Sequence, residues 1–213
     1  MATETTEKPL KITKSDRSKG QLIEAASSIL REKNTINLTL SELAERSNLN
    51  SALVKYHFGN KDGLLFAVLE HHSEKWLKAL ENLLQRTDLT PEEKMRRHLY
   101  GLMDTYVQAP FIRRLHNSIM GSTTDENRLK ISDGMIKPVI KAQKEILDAG
   151  YEQGIFRKID AELFYFSASG AVSFIYTQNF ILKHTFKHLK ITDELISRTK
   201  EQIVDMVLRG IKV

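Results

Sequence analysis

Two helix-start signals set close together confine residues 39–58 to a pair of short helices. Thr39 and Glu42 stand at capping-box spacing, where each side chain satisfies the other's orphan amide. Leu40, Leu43 and Ala44 give the helix that follows its buried side, and Ser47 and Asn48 interrupt it. Asn50 is the next N-cap, with Leu49 before it placed to pack on Val54 after it. Gly59 follows Phe58 directly, so the second helix is short as well. Asn60 then caps a long helix carrying Leu64, Leu65, Val68, Leu69, Trp76, Leu80, Leu83 and Leu84.

The flanking sequence is helical too. Leu22, Ala26, Ile29 and Leu30 recur at helical spacing from Arg17 onward. Residues 35–40 alternate polar and apolar, but a lone strand has no partner here, so an extended loop is expected. Thr90, Pro91 and Glu93 combine a cap, a first-position proline and a capping box, and Pro110 ends or kinks the helix they open. Residues 121–127 read as a polar loop. A helix over 128–153 carries Pro138, which kinks it or marks its true start, and Gly154 closes it. Asp160 and Thr192 open the last two helices. The fold class predicted is all-α: an N-terminal three-helix unit at 16–62, preceded by a disordered basic arm at 1–15 and followed by a larger helical bundle at 63–213.

Composition narrows the chemistry. The chain has 213 residues, 41% of them hydrophobic, which is enough for a core. The absence of cysteine excludes disulfides, thiolate metal sites and a cysteine nucleophile, and fits a reducing cytoplasm. The polar first residues lack an apolar signal core, so a cytoplasmic protein is expected. Residues 163–182 carry no formal charge over a bilayer-spanning length, but Ser167, Ser169, Ser173, Thr177, Gln178 and Asn179 favour a buried helix–helix interface over a membrane span. A net charge of +5 leans toward an anionic partner without deciding one.

The local charge says more. Residues 46–61 contain no carboxylate, while Arg46, Lys55 and Lys61 are basic. A short helix, a tight turn and a second short helix form the helix-turn-helix geometry, whose second helix enters the DNA major groove. Asn48 tolerates the left-handed conformation such a turn needs. On a wheel of about 100° per residue, Leu53, Val54 and Phe58 face one way, and Ser51, Ala52, Lys55 and Tyr56 the other. Lys61 opposes the dipole in the first turn of its helix, a position where a bound phosphate would reverse the sign of that interaction.

The stretch from Thr39 through Asn50, Ser51, Ala52, Lys55, Tyr56 and His57 to Phe58, followed by Gly59-Asn-Lys-Asp-Gly-Leu-Leu65, resembles the N-terminal domain of the tetracycline-repressor (TetR) family. The resemblance covers roughly residues 17–68. It implies a homodimer whose two recognition helices read a palindromic double-stranded DNA operator. It also implies that Thr39, His57 and Lys61 hold phosphates while Ser51, Ala52, Lys55 and Tyr56 approach bases. Lys55 stands where many members carry tyrosine, and His57 lies at the edge of the apolar side, where a core role competes with a phosphate contact. Lys11, Lys14, Arg17 and Lys19 could reach the backbone or minor groove, or form a solvated tail.

The family's C-terminal domain implies a small-molecule effector and a dimer face. The uncharged helix and the last helix, with Leu195, Ile196, Ile203, Met206 and Val207, suit that face, which could equally be intramolecular core. Candidate effector-binding residues are Tyr100, Met103, Tyr106, Met120, Met135, Phe164, Phe174 and Tyr176, set against plain core. A largely apolar effector with one polar handle is expected, without cofactor or metal. The alternatives are a helical protein-interaction module and a metal-dependent enzyme. His184 and His188 have two-ligand spacing, but the glutamate of a zinc-protease motif is missing.

Overall fold

Side-chain capping sets where most of the helices begin. In the computed structural model, which describes residues 13–122, 124–177, 181, 184–185 and 192–213, Thr13 and Asp16 form a capping box. Helix α1 (Lys14–Lys33) therefore starts ahead of Arg17, and Asn34 closes it in the left-handed conformation, φ 47°. Most of the predicted arm, including Lys11, lies outside the described residues, whereas Lys14, Arg17 and Lys19 belong to α1. The alternating stretch 35–39 is loop, as expected. Helix α2 (Leu40–Ser47) carries the Thr39/Glu42 box, and α3 (Ala52–Phe58) follows a turn with Asn48 at φ 54°. The Asn60 side chain accepts the Gly63 amide at 2.8 Å to open α4 (Lys61–Leu84).

Helix α5 (Pro91–Gln108) has its full capping box and stops before Pro110; α6 (Ile112–Ser122) follows. The polar loop expected at 121–127 is shorter than predicted. Thr124 caps α7 (Asp125–Ile131), so the next helix begins before Arg128. Pro138 falls in the first turn of the next helix, one of the two placements expected for it, without interrupting the helical run. A π turn over Ser132–Ile136 precedes α8 (Lys137–Glu152), and the Lys137 amide bonds back to the Ser132 carbonyl. A proline ring clashes with the carbonyl four residues earlier, and one widened turn relieves that clash. Helix α9 (Ala161–Thr177) is opened by Asp160, whose carboxylate accepts the Glu162 and Leu163 amides; α10 (Asp193–Ile211) is capped by Thr192. Among the described residues the only β pairing is an isolated Phe156–Lys212 bridge, and no helix is long and apolar enough to cross a membrane.

Two cores share α4. The first joins Leu22, Leu30, Leu43 and Val54 to Leu64 and Phe111; the second holds Met95, Leu99, Met103, Phe156, Val172 and Leu208. Val68 and Leu69 of α4 belong to the first, and Trp76 and Leu84 pack on the second. At 24 residues, α4 spans roughly 36 Å and runs through both cores.

The second core contains a fully buried histidine. The ring of His98 lies 3.0 Å from the Gln143 side-chain amide, and burial holds its pKa at about 4 against an ordinary 6.5. The unfolded chain therefore binds this proton more readily. Stability present above about pH 6.5 is lost as pH falls toward 4, at a limiting cost of about 3 kcal/mol. His72 and His116, also lowered by burial, add to the acid limb in the same direction. Urea unfolding between pH 7 and pH 4 is expected to show this limb, and His98→Leu to flatten it. An unchanged limb in the variant would contradict the assignment.

Candidate functional site

Helix α3 divides as its sequence predicts. Val54 is buried and Leu53 and Phe58 half-buried against the first core, while Ala52, Lys55 and Tyr56 are exposed. Tyr56 is 75% exposed, a costly placement for a large aromatic that serves only the monomer's fold. Ser51 precedes the helix in αR geometry, and the Asn50 carboxamide accepts the Ala52 amide at 2.8 Å, so Asn50 acts as the expected cap one residue further out. Thr39 and Lys61 are exposed at the starts of α2 and α4, on either side of α3 in sequence.

One basic group in this region behaves differently from the sequence reading. Arg46 turns back onto α1, donating to Ser28 Oγ at 2.7 Å and to Glu32 at 2.6 Å, so its charge is spent there. Lys55 and Lys61 enter no ion pair among the described residues, so the uncompensated positive charge lies on α3 and the first turn of α4. His57 is half-buried with Nε2 2.8 Å from Ser18 Oγ. The Ser18 hydroxyl proton goes to the Ser15 carbonyl at 2.9 Å. The imidazole is therefore the donor, and it ties α3 to α1.

A cavity of about 100 Å³ lies in the bundle. Its walls come from α4, α5, α6, α8, α9 and the π turn, which supplies Met135 and Ile136. Of the eight candidate effector residues, Tyr106 and Met135 line it. Met103, Phe164 and Tyr176 are buried in the second core, with Tyr176 5.7 Å from the Tyr106 ring, and Tyr100 packs against that core. Met120 packs against the first core, and Phe174 is 59% exposed on α9.

Sequence reasoning passed over His72, Trp76, Arg113, His116 and Tyr165 at this cavity. A usable signal existed for two of them: Arg113 and His116 lie within about 100° of buried Ile112 on the α6 wheel. Polar side chains beside an apolar stripe point inward. His72 also reaches α1, 3.2 Å from Ser27 Oγ, and stacks edgewise on Phe111.

Among the described residues no cluster of metal-ligating side chains is present; His188, half of the suspected pair, lies outside them. Comparison with known proteins places the geometry in context. Residues 22–68 match the family model described as bacterial regulatory proteins, tetR family, and residues 88–213 match the tetracyclin repressor-like C-terminal domain. The chain belongs to the TetR family. This TetR-family protein is 23% identical to the transcriptional repressor NicS of Pseudomonas putida, over 92% of this chain and 93% of that one. It is 30% identical over 100 residues to the regulator BetI of Burkholderia cenocepacia, a match spanning 45% of this chain and 50% of the relative. Two solved structures share the fold: a tetR-family regulatory protein of Rhodococcus RHA1 (TM-score 0.71, 18% identity, 92% and 97% of the chains) and PfmR of Thermus thermophilus (0.68, 22%, 90% and 99%). Family and relatives are transcriptional regulators, and the TetR-family chain is a DNA-binding regulator.

Proposed function

We propose that this TetR-family protein is a cytoplasmic homodimeric repressor that binds a palindromic operator through residues 16–62 and is released by a small effector held in 63–213. The carrying observation is the exposed, cationic face of α3 and the start of α4, with Tyr56 held out in solvent. Ser51, Ala52, Lys55 and Tyr56 approach base edges in the major groove. Lys61, at the positive end of the α4 dipole, holds a phosphate, and the Thr39 hydroxyl donates to another. His57 supports α3 through Ser18, a role compatible with a neighbouring phosphate.

The dimer reading rests on α9 and α10. Leu163 and Phe166 are 67% and 72% exposed at helical spacing on α9, with the small Gly170 one turn further on and Met206 62% exposed on α10. An apolar stripe of that size on a monomer surface calls for a partner. The effector reading rests on the cavity, because α4 carries both Trp76 in its wall and Lys61 at the DNA-facing end.

A salt titration separates the roles on the DNA face. Lys61→Ala, which removes one phosphate contact from each protomer of the dimer, is expected to weaken binding to every sequence and to reduce the slope of log K against log salt by about 1.8. Tyr56→Ala is expected to change base preference while leaving the slope nearly unchanged. A Lys61→Ala variant with the wild-type slope would contradict the phosphate role.

A further inference from the structure

The polar part of the bundle cavity carries one sign of charge. Arg113 reaches it from α6, and among the described residues no aspartate or glutamate lines it. Arg46, Arg86, Arg96, Arg128 and Arg209 each pair with a carboxylate, whereas Arg113, only partly exposed, enters no ion pair among the described residues. Its charge is felt by the groups around it. Burial raises the pKa of Tyr106 and of Tyr165, and the guanidinium opposes that rise; at His116 it adds to the lowering caused by burial. The cavity thus presents one permanent cation, two phenolic hydroxyls, the hydroxyls of Ser73, Thr105 and Ser169, and the imidazoles of His72 and His116. The apolar part of the wall is formed by Leu69, Trp76, Leu102, Ile112, Ile136 and Val139.

The Arg113 guanidinium hydrogen-bonds the Tyr106 hydroxyl, but among the described residues no carboxylate neutralises it, and guanidinium matches a carboxylate in a two-point fork. The aromatic rings would suit a cationic ligand taken alone, but Arg113 repels one. Size limits the rest of the molecule. An apolar cavity of about 150 Å³ accommodates a benzene ring, and this one is about 100 Å³. We propose that the effector is a small monocarboxylate with a short branched apolar body, smaller than a benzene ring, its carboxylate on Arg113 and its body against Trp76 and Leu102. This rests on the effector reading above and gives it a chemical class.

The chain has a single tryptophan, Trp76, so its fluorescence reports occupancy of the cavity directly. Isovalerate is titrated against the full-length protein, beside the amide and the amine of the same skeleton, with operator release measured in parallel. Expected is carboxylate binding at least about tenfold tighter than the amide, with the amine weaker still. Arg113→Gln should remove that preference while leaving amide binding near its wild-type level. Equal or tighter binding of the amide or amine, no fluorescence response to the carboxylate, or a preference that survives Arg113→Gln overturns the proposal. Arg113→Lys, which keeps the charge and loses the fork, should recover part of the preference if the variant protein is folded. Carboxylate binding that leaves DNA affinity unchanged would uphold the ligand class and sink the effector role instead.

Discussion

Gly63→Ala is expected to unfold or misplace the recognition helix, although the substitution adds one methyl group at an otherwise helical position. A Cβ built at Gly63 lies 2.0 Å from the Phe58 carbonyl oxygen and 3.1 Å from its carbonyl carbon. Both atoms are backbone, so no side-chain rotation relieves the clash. The cause is the shortness of the connection. Only Gly59, at φ 77°, and Asn60 separate α3 from α4, which sets the first turn of α4 directly on the last carbonyl of α3. The chain must shift α3, and with it Lys55 and Tyr56. Overpacking of this kind costs about 2–3 kcal/mol. Urea unfolding should show that loss, and operator affinity should fall at least about tenfold, the equivalent of about 1.4 kcal/mol. Gly101→Ala is the control: a Cβ there meets nothing within 4 Å. It should be neutral or stabilise α5 by up to about 1 kcal/mol. Wild-type stability and affinity in Gly63→Ala would contradict the geometry.

The second large effect is expected at Phe166. The side chain is 72% exposed in the single chain, so Phe166→Glu should leave the fold of the monomer intact. In the proposed dimer the same position is buried across a two-fold axis, where each glutamate also approaches its symmetry mate. Desolvation and like-charge repulsion cost several kcal/mol there. The dimer dissociation constant should rise by about a hundredfold or more. Sedimentation should find monomer at concentrations where the wild type is dimeric, and binding to a two-half-site operator should weaken with it. A dimer that withstands Phe166→Glu would move the interface away from α9.

The elements legible in the sequence are those set by local chemistry. The Thr39/Glu42 box, the left-handed Asn48, the Asn60 cap and the inward Val54 all follow from side chains within a few positions of one another. The π turn was hidden, because Pro138 signals trouble without saying whether the helix stops, kinks or widens. At the DNA face, Lys55 and Tyr56 were readable from the wheel. Arg46 was not, because its partners Ser28 and Glu32 lie on another helix. His57 is similar, since its bond to Ser18 crosses from α3 to α1. The cavity was the least legible part. It is walled by five helices besides the π turn, and aromatic or methionine spacing on one helix does not tell a cavity wall from a filled core.

The central claim is that the face built by α3 and the start of α4 reads DNA. It is tested most directly by footprinting the wild-type protein on the DNA upstream of its own coding sequence, over a range of salt concentrations. Protection is expected over two symmetric half-sites about 34–36 Å apart or a multiple of that, with affinity falling steeply as salt rises. No protection at low salt, or protection without symmetry that ignores salt, would contradict it.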